Sequence, residues 1–149
     1  MMNKEEVFSA IKKLLATQHF AVLATQGDGF PYCTLVGYAQ RDDIKEIYFA
    51  TNRTTRKYNN LKNNPKVSLM IDSQTNRVDD IKDAQALTVL GDASEVNAAS
   101  RKQAMACYLN KHPYLEDFVS ASDCALIRIK VSKYILVQNF QNVLEYTIA

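Results

Sequence analysis

Three threonines stand beside an Arg-Lys pair in TNRTTRKYNNLKNNP, residues 51 to 65, where a strand-like run gives way to a helix-like one. Short hydroxyls and cations at the start of a helix are the donors an oxyanion needs. The first N–H groups of a helix have no partner within it, and its dipole puts partial positive charge at that end. Thr51, Thr54 and Thr55 add hydroxyls to those groups. Arg56 and Lys57 leave a helix about 100° apart, yet in its first turn both side chains are long enough to curl toward the N-terminus and reach one bound group. Three or four charge-assisted hydrogen bonds, at about 1.5 to 3 kcal/mol each, are enough to hold a phosphomonoester. The same residues also describe an ordinary helix start, with Thr54 as the cap and both cations in water.

Other reactive side chains are sparse. The histidines, His19 and His112, are far apart in sequence and read as structural or solvated. Cys33, Cys107 and Cys124 form no CxxC pair, so they fit neither a zinc site nor a disulfide framework and read as reduced core thiols. No Ser-His-Asp set, glycine-rich nucleotide loop or paired carboxylates stand out, which leaves hydrolysis without support. Any difficult chemistry falls to a cofactor.

Eighteen Lys and Arg against sixteen Asp and Glu leave a net charge of +2, too small to mark a general nucleic-acid or membrane-surface binder. Anion binding must therefore be local. The 149 residues suit a single domain spanning 1 to 149, with an apolar fraction of 47% that is ordinary for a globular protein. The N-terminal residues lack the apolar core of a signal peptide and no run reaches transmembrane length, so the cytoplasm is the expected compartment.

The elements that must position the threonine and cation cluster follow from periodicity. Val7, Phe8, Ile11, Leu14 and Leu15 fall on one face of a helix. HFAVLAT (19 to 25), FPYCTLVGYAQ (30 to 40) and IKEIYFAT (44 to 51) read as strands, with Gly27 and Gly29 supplying positive φ at the first turn. A helix of about three turns should run from near Thr54 to just before Pro65, followed by the strand KVSLMID. Residues 73 to 83 read as a loop and 84 to 96 as a strand with Gly91 at a bulge. A helix over 99 to 112 precedes two or three final strands. Strands outnumber helices and follow one another directly, which predicts a mainly β, six- to seven-stranded antiparallel barrel with peripheral helices.

The order LAT, GDGFPYCTLVGY, IYFATNRTTRKYNNLKNNPKVSLMID and ALTVLGDASEV resembles the flavin-binding split-barrel family related to pyridoxamine 5′-phosphate oxidase, over roughly residues 5 to 140. The resemblance implies FMN as cofactor, with Thr55, Arg56 and Lys57 on its phosphate and Thr51 near the phosphate or ribityl chain. It implies amide contacts to the ring edge from Cys33, Thr34 and Leu35. It also implies a homodimer with the flavin between subunits, to which a partner strand contributes Gln85. An FMN-dependent oxidoreductase acting on a small organic molecule, with a reduced nicotinamide as possible donor, is the activity this resemblance implies. No catalytic acid or base is assigned. A flavin carrier or sensor without turnover, and a haem-binding relative using His19 or His112, are the alternatives, and deazaflavin is a further ligand of the superfamily. Residues 30 to 40 contain no Lys or Arg, which departs from the vitamin B6 oxidase and argues against pyridoxine phosphate as substrate.

Overall fold

The computed structural model describes residues 1–149. Helix α1 (Lys4–Thr17) begins at Asn3, whose side chain caps it by accepting the Glu6 N–H. Seven strands follow: β1 (Phe20–Gly27), β2 (Phe30–Gln40), β3 (Glu46–Asn52), β4 (Lys66–Asp72), β5 (Ala86–Glu95), β6 (Cys124–Gln138) and β7 (Asn142–Thr147). Between them lie α2 (Arg56–Asn63), α3 (Asp80–Asp83), α4 (Ala98–Lys111) and α5 (Glu116–Ser120). The sheet order is β3-β2-β1-β4-β5-β6-β7, and an antiparallel β3–β6 pairing closes the first six strands into a barrel.

Closure is incomplete between β2 and β3. These strands pair only over Tyr38–Gln40 and Ile47–Phe49, whereas β2 pairs β1 all the way from Phe30 to Gly37. The remainder of β3 stays with β6, ending at Asn52 opposite Cys124. Residues 30 to 37 of β2 therefore present one unpaired edge, and the barrel is split there. The outer edge of β6 is shared in turn by β3, up to Lys130, and by β7, from Lys133.

The interior follows the period of two. Ala21, Leu23 and Thr25 of β1, and Val67, Leu69 and Ile71 of β4, point inward while their neighbours face out. α1 lays Val7, Ile11, Leu14 and Leu15 on this core, each worth about 1.5 to 3 kcal/mol of burial. A second, smaller core lies outside the barrel, where Ala104 and Tyr108 of α4 and Val119 of α5 cover Ala39, Tyr48 and Leu126. That cover explains why Leu126 is buried along with both its neighbours in β6, Ala125 and Ile127.

Several expectations shift. The β1–β2 turn takes its positive φ from Asp28 and Gly29, not from Gly27. Gly27 is needed for space, because a Cβ there would stand 2.1 Å from Asn60 Oδ1. Gly91 does mark a bulge: the β5–β6 register slips between Leu90 and Gly91, and a Cβ on Gly91 would meet Lys130 O at 2.5 Å. The polar stretch 73 to 83 ends in the one-turn helix α3.

Candidate functional site

The β3–α2 corner is built by Asn52. Its Oδ1 accepts the Thr54 N–H at 2.8 Å and the Thr54 hydroxyl at 2.7 Å, while its Nδ2 donates to Asp123 at 2.7 Å. This side-chain turn moves the cap one residue on from Thr54. Thr55 is the N-cap, accepting the Tyr58 N–H, and α2 has eight residues, about two turns at 3.6 residues per turn. Thr51 is 2% exposed, and its hydroxyl lies 2.8 Å from that of Thr55. Thr51 thus buttresses the cap from within, and Thr54 is engaged by Asn52.

The three cations of the corner have separate environments. Both oxygens of Glu95 hold Arg53, which also donates to Ser122 O at 2.9 Å. Glu95 additionally accepts the Tyr58 hydroxyl at 2.7 Å, and these bonds, that of Arg53 foremost, keep its carboxyl below the usual range. Arg56 is exposed, its guanidinium 5.2 Å from the centre of the Tyr32 ring. Lys57 is half-buried without a carboxylate partner, and that burial lowers its pKa. A desolvated ammonium lacking a counter-ion favours the arrival of an anion. Arg56 and Lys57 are the two cations left for a ligand.

The phase of β2 determines what its open edge offers. Tyr38 N–H donates to His19 O and Arg41 N–H to Glu46 O, so even-numbered residues of β2 bond to β1 and odd-numbered ones face β3. Where β3 is missing, the free N–H and C=O groups are those of Cys33 and Leu35. Gly37 O is taken instead by the Tyr108 hydroxyl at 3.1 Å. The backbone of Thr34 faces β1, but its side chain points to the barrel side with Val36, and its Oγ1 is a buried side-chain atom without any hydrogen-bond partner. Tyr32, under Arg56, is on that same face.

The Arg56–Tyr32 contact brings the start of α2, with Thr55 and Arg56 and with Lys57 next in the same turn, to the open stretch of β2 that carries Thr34 and the Cys33 and Leu35 edge. A polar cleft of about 760 Å³ continues from Thr55 and Arg56 between α2 and the β1–β2 turn. Gln85 is elsewhere: it lies at the opposite end of β4 and β5, next to the Asp72–Ala86 pair, and donates to Gln138 Oε1 at 2.9 Å. Within one chain it does not meet the α2 socket. Cys33 is not the core thiol expected from the sequence: its odd position in β2 turns the side chain to the exposed outer face, whereas Cys124 is buried.

His112 is fully buried. Its Nε2 donates to Tyr38 O at 2.7 Å, which leaves Nδ1 to accept the Tyr114 hydroxyl at 3.0 Å. Both ring nitrogens are engaged in fastening α4 to β2, so His112 has no lone pair to offer a metal. His19 is exposed at the far end of β1 from α2. Sequence reading missed Asn52, Arg53, Tyr58 and Glu95 as the residues that shape the corner. The Asn-x-Thr spacing of Asn52 and Thr54 was the one local signal for them.

A six-stranded antiparallel barrel, open along one strand and carrying an anion-receptive helix start at the opening, is a split barrel. The chain belongs to the pyridoxamine 5′-phosphate oxidase family, whose model matches residues 8–138. No curated protein is matched by the sequence. Among solved structures, a haem-binding protein from Mycobacterium smegmatis superposes with a TM-score of 0.82 at 18% identity, over 91% of this chain and 55% of that one. A relative of general stress protein 26 from Clostridium acetobutylicum, of the pyridoxinephosphate oxidase family, gives 0.73 at 15% identity over 99% and 97%. An FAD-binding protein from Mesorhizobium loti gives 0.69 at 18% identity over 87% and 90%. The chain thus spans about half of the mycobacterial protein, and at these identities the likeness is one of fold. No helix is long and apolar enough to cross a membrane.

Proposed function

We propose that this chain binds FMN through its phosphate at the start of α2 and serves, as a homodimer, as a flavin-dependent oxidoreductase for a small organic molecule. The observation that carries this reading is the Arg56–Tyr32 contact, which joins two elements with unpartnered groups: α2, with the half-buried Lys57 ammonium next to Arg56, and β2, with the orphaned Thr34 hydroxyl beside its free edge. When bound, the flavin supplies the redox chemistry. The α2 N–H groups, Thr55, Arg56 and Lys57 would hold the phosphate, and Cys33 and Leu35 would offer backbone groups to the polar ring edge. Thr34 would supply one side-chain hydrogen bond from within.

A second copy of the chain completes the reading. No apolar side chain lines the α2 cleft, so a flat apolar ring needs cover from outside it. Leu35, Val22 and Met70 are cross-strand neighbours on the outer face of β2, β1 and β4, and all three are exposed. Such a stripe beside the opening is a surface for a partner, and Gln85 would reach a flavin only from that partner.

The test is the absorption spectrum of the purified protein before and after FMN is added. A flavin spectrum is expected, and protein that stays colourless with excess FMN overturns the reading. Replacing Arg56 and Lys57 with Ala should weaken FMN about 100-fold or more while leaving riboflavin, which lacks the phosphate, nearly unchanged. Reduction of bound flavin by NADH or NADPH and reoxidation by an acceptor distinguish turnover from simple carriage.

A further inference from the structure

Strand β7 has a single neighbour in the sheet, β6, whereas every other strand has at least two. Its ladder tells which backbone groups are left over. The Ile148 N–H donates to Ser132 O at 3.0 Å, in register with the Tyr134–Tyr146 and Leu136–Leu144 pairs, so the even-numbered residues of β7 bond to β6. The N–H and C=O groups of Val143, Glu145 and Thr147 point the other way and have no partner in the chain. No proline or bulge interrupts this edge, the usual devices that keep an edge strand from pairing.

A groove of about 670 Å³ lies beside it and touches every residue from Asn142 to Thr147, as a groove along an edge does and one over a single face does not. Its other wall is Met1, Met2 and Val7, with Lys4. Methionine side chains adapt to whatever lies against them. Donors and acceptors repeating at every second residue are the complement of another extended backbone. The side chains beside them sort by face: Leu144 and Tyr146 turn toward the core and α1, while Val143, Glu145 and Thr147 are exposed on the other side.

Glu145 decides which chain fits. Its carboxylate is 56% exposed, and its cation, Lys133 at 3.4 Å, lies on the β6 side. A second β7 laid antiparallel about Glu145 would set two carboxylates face to face, and one laid about Leu144 would make them diagonal neighbours. A basic residue in that place would meet the acid instead. We infer that β7 receives an extended peptide segment of another protein, added antiparallel, with apolar residues opposite Leu144 and Tyr146 and a Lys or Arg opposite Glu145. It uses no group of the α2 socket or of the β2 edge.

The probe is an end-blocked, fluorophore-labelled peptide, Ser-Thr-Ile-Lys-Ile-Thr-Ser, titrated with the full chain by anisotropy. Saturable binding is expected, and the same peptide with Glu for Lys should bind about tenfold more weakly. Glu145→Lys should invert that order. Val143→Pro removes an outward N–H without costing a bond to β6, so it should weaken both peptides about tenfold or more with the urea midpoint nearly unchanged. The inversion by Glu145→Lys decides the matter even where the proline variant does not fold. Absence of saturable binding at millimolar peptide overturns the inference, as does binding indifferent to Glu145→Lys. Self-association of the protein that Val143→Pro abolishes and Leu35→Glu does not would give the edge to a second copy, which also overturns it.

Discussion

Arg53 and Glu95, 42 residues apart in sequence, are joined by two hydrogen bonds of 2.6 and 3.3 Å, and the same carboxylate takes the Tyr58 hydroxyl. One acid thus fastens both the loop before α2 and the first turn of α2 to the end of β5. It also withdraws Arg53 from the socket, which leaves Arg56 and Lys57 as its two available charges. The site's charge is set by a residue outside it.

Glu95→Gln should retain the fold and loosen this corner, weakening FMN by roughly three- to tenfold, with a smaller effect from Tyr58→Phe. Titration of both variants with FMN and riboflavin checks the assignment. Tighter FMN binding by Glu95→Gln would contradict it, because Arg53 would then be acting as a reserve cation and not as part of a brace.

Gly27→Ala should destabilise the protein by about 1 to 3 kcal/mol, since the added carbon cannot coexist with the Asn60 carboxamide and the Asn60–Thr25 bond must yield. The same change in an Asn60→Ala background should cost much less. Urea unfolding of the two singles and the double measures that coupling.

Much of this arrangement was legible in sequence. The strands, the Gly91 bulge and the cation cluster at a helix start are local signals, and each lies within a few residues of its cause. The remainder depends on long-range pairing. That β3 leaves β2 after Phe49 and continues on β6 is invisible to periodicity, so the open edge and its odd-residue phase could not be read. The cap fell at Thr55 because Asn52 captures Thr54, a competition between two neighbouring hydroxyl residues that propensity does not settle. Glu95 and Leu126 owe their surroundings to elements distant in the chain.

Burial holds the pKa of His112 below its ordinary 6.5, opposed by its bond to Tyr38 O and aided by the neighbouring Lys111 and His19; Tyr108 and Tyr114 complete its surroundings. The folded protein resists protonating it, while the unfolded chain does not. Stability from this group is therefore fully present above about pH 6.5 and is lost as pH falls from that value toward the lower folded pKa. His112→Gln should flatten the stability slope between about pH 7 and 5, at a cost of roughly 1 to 3 kcal/mol at pH 7. Denaturant midpoints over that range decide it, an unchanged slope assigning the acid sensitivity to other groups.

Leu35 is 70% exposed at the centre of the outer stripe, with Val22 opposite it on β1 and Met70 beyond on β4. A charge placed there would be buried unpaired in any dimer that uses this face but would remain hydrated in a monomer. Leu35→Glu should convert a dimer to a monomer in sedimentation experiments, with little change in monomer fold. A dimer that survives the substitution unchanged uses another surface.

Thr34 separates a stability effect from a binding effect. Its hydroxyl is buried without a partner, an arrangement that costs about 1 to 3 kcal/mol relative to a satisfied group. Valine has nearly the same shape and lacks the hydroxyl, so Thr34→Val should raise the stability of the flavin-free protein by up to about 1 to 2 kcal/mol. If the hydroxyl exists to meet the flavin, the same variant should bind FMN roughly three- to tenfold more weakly. Thermal unfolding without ligand and titration with FMN measure the two effects on one preparation. A more stable variant with undiminished affinity would leave the buried hydroxyl with no part in the site, and the flavin would have to be held by the edge of β2 and the α2 socket alone.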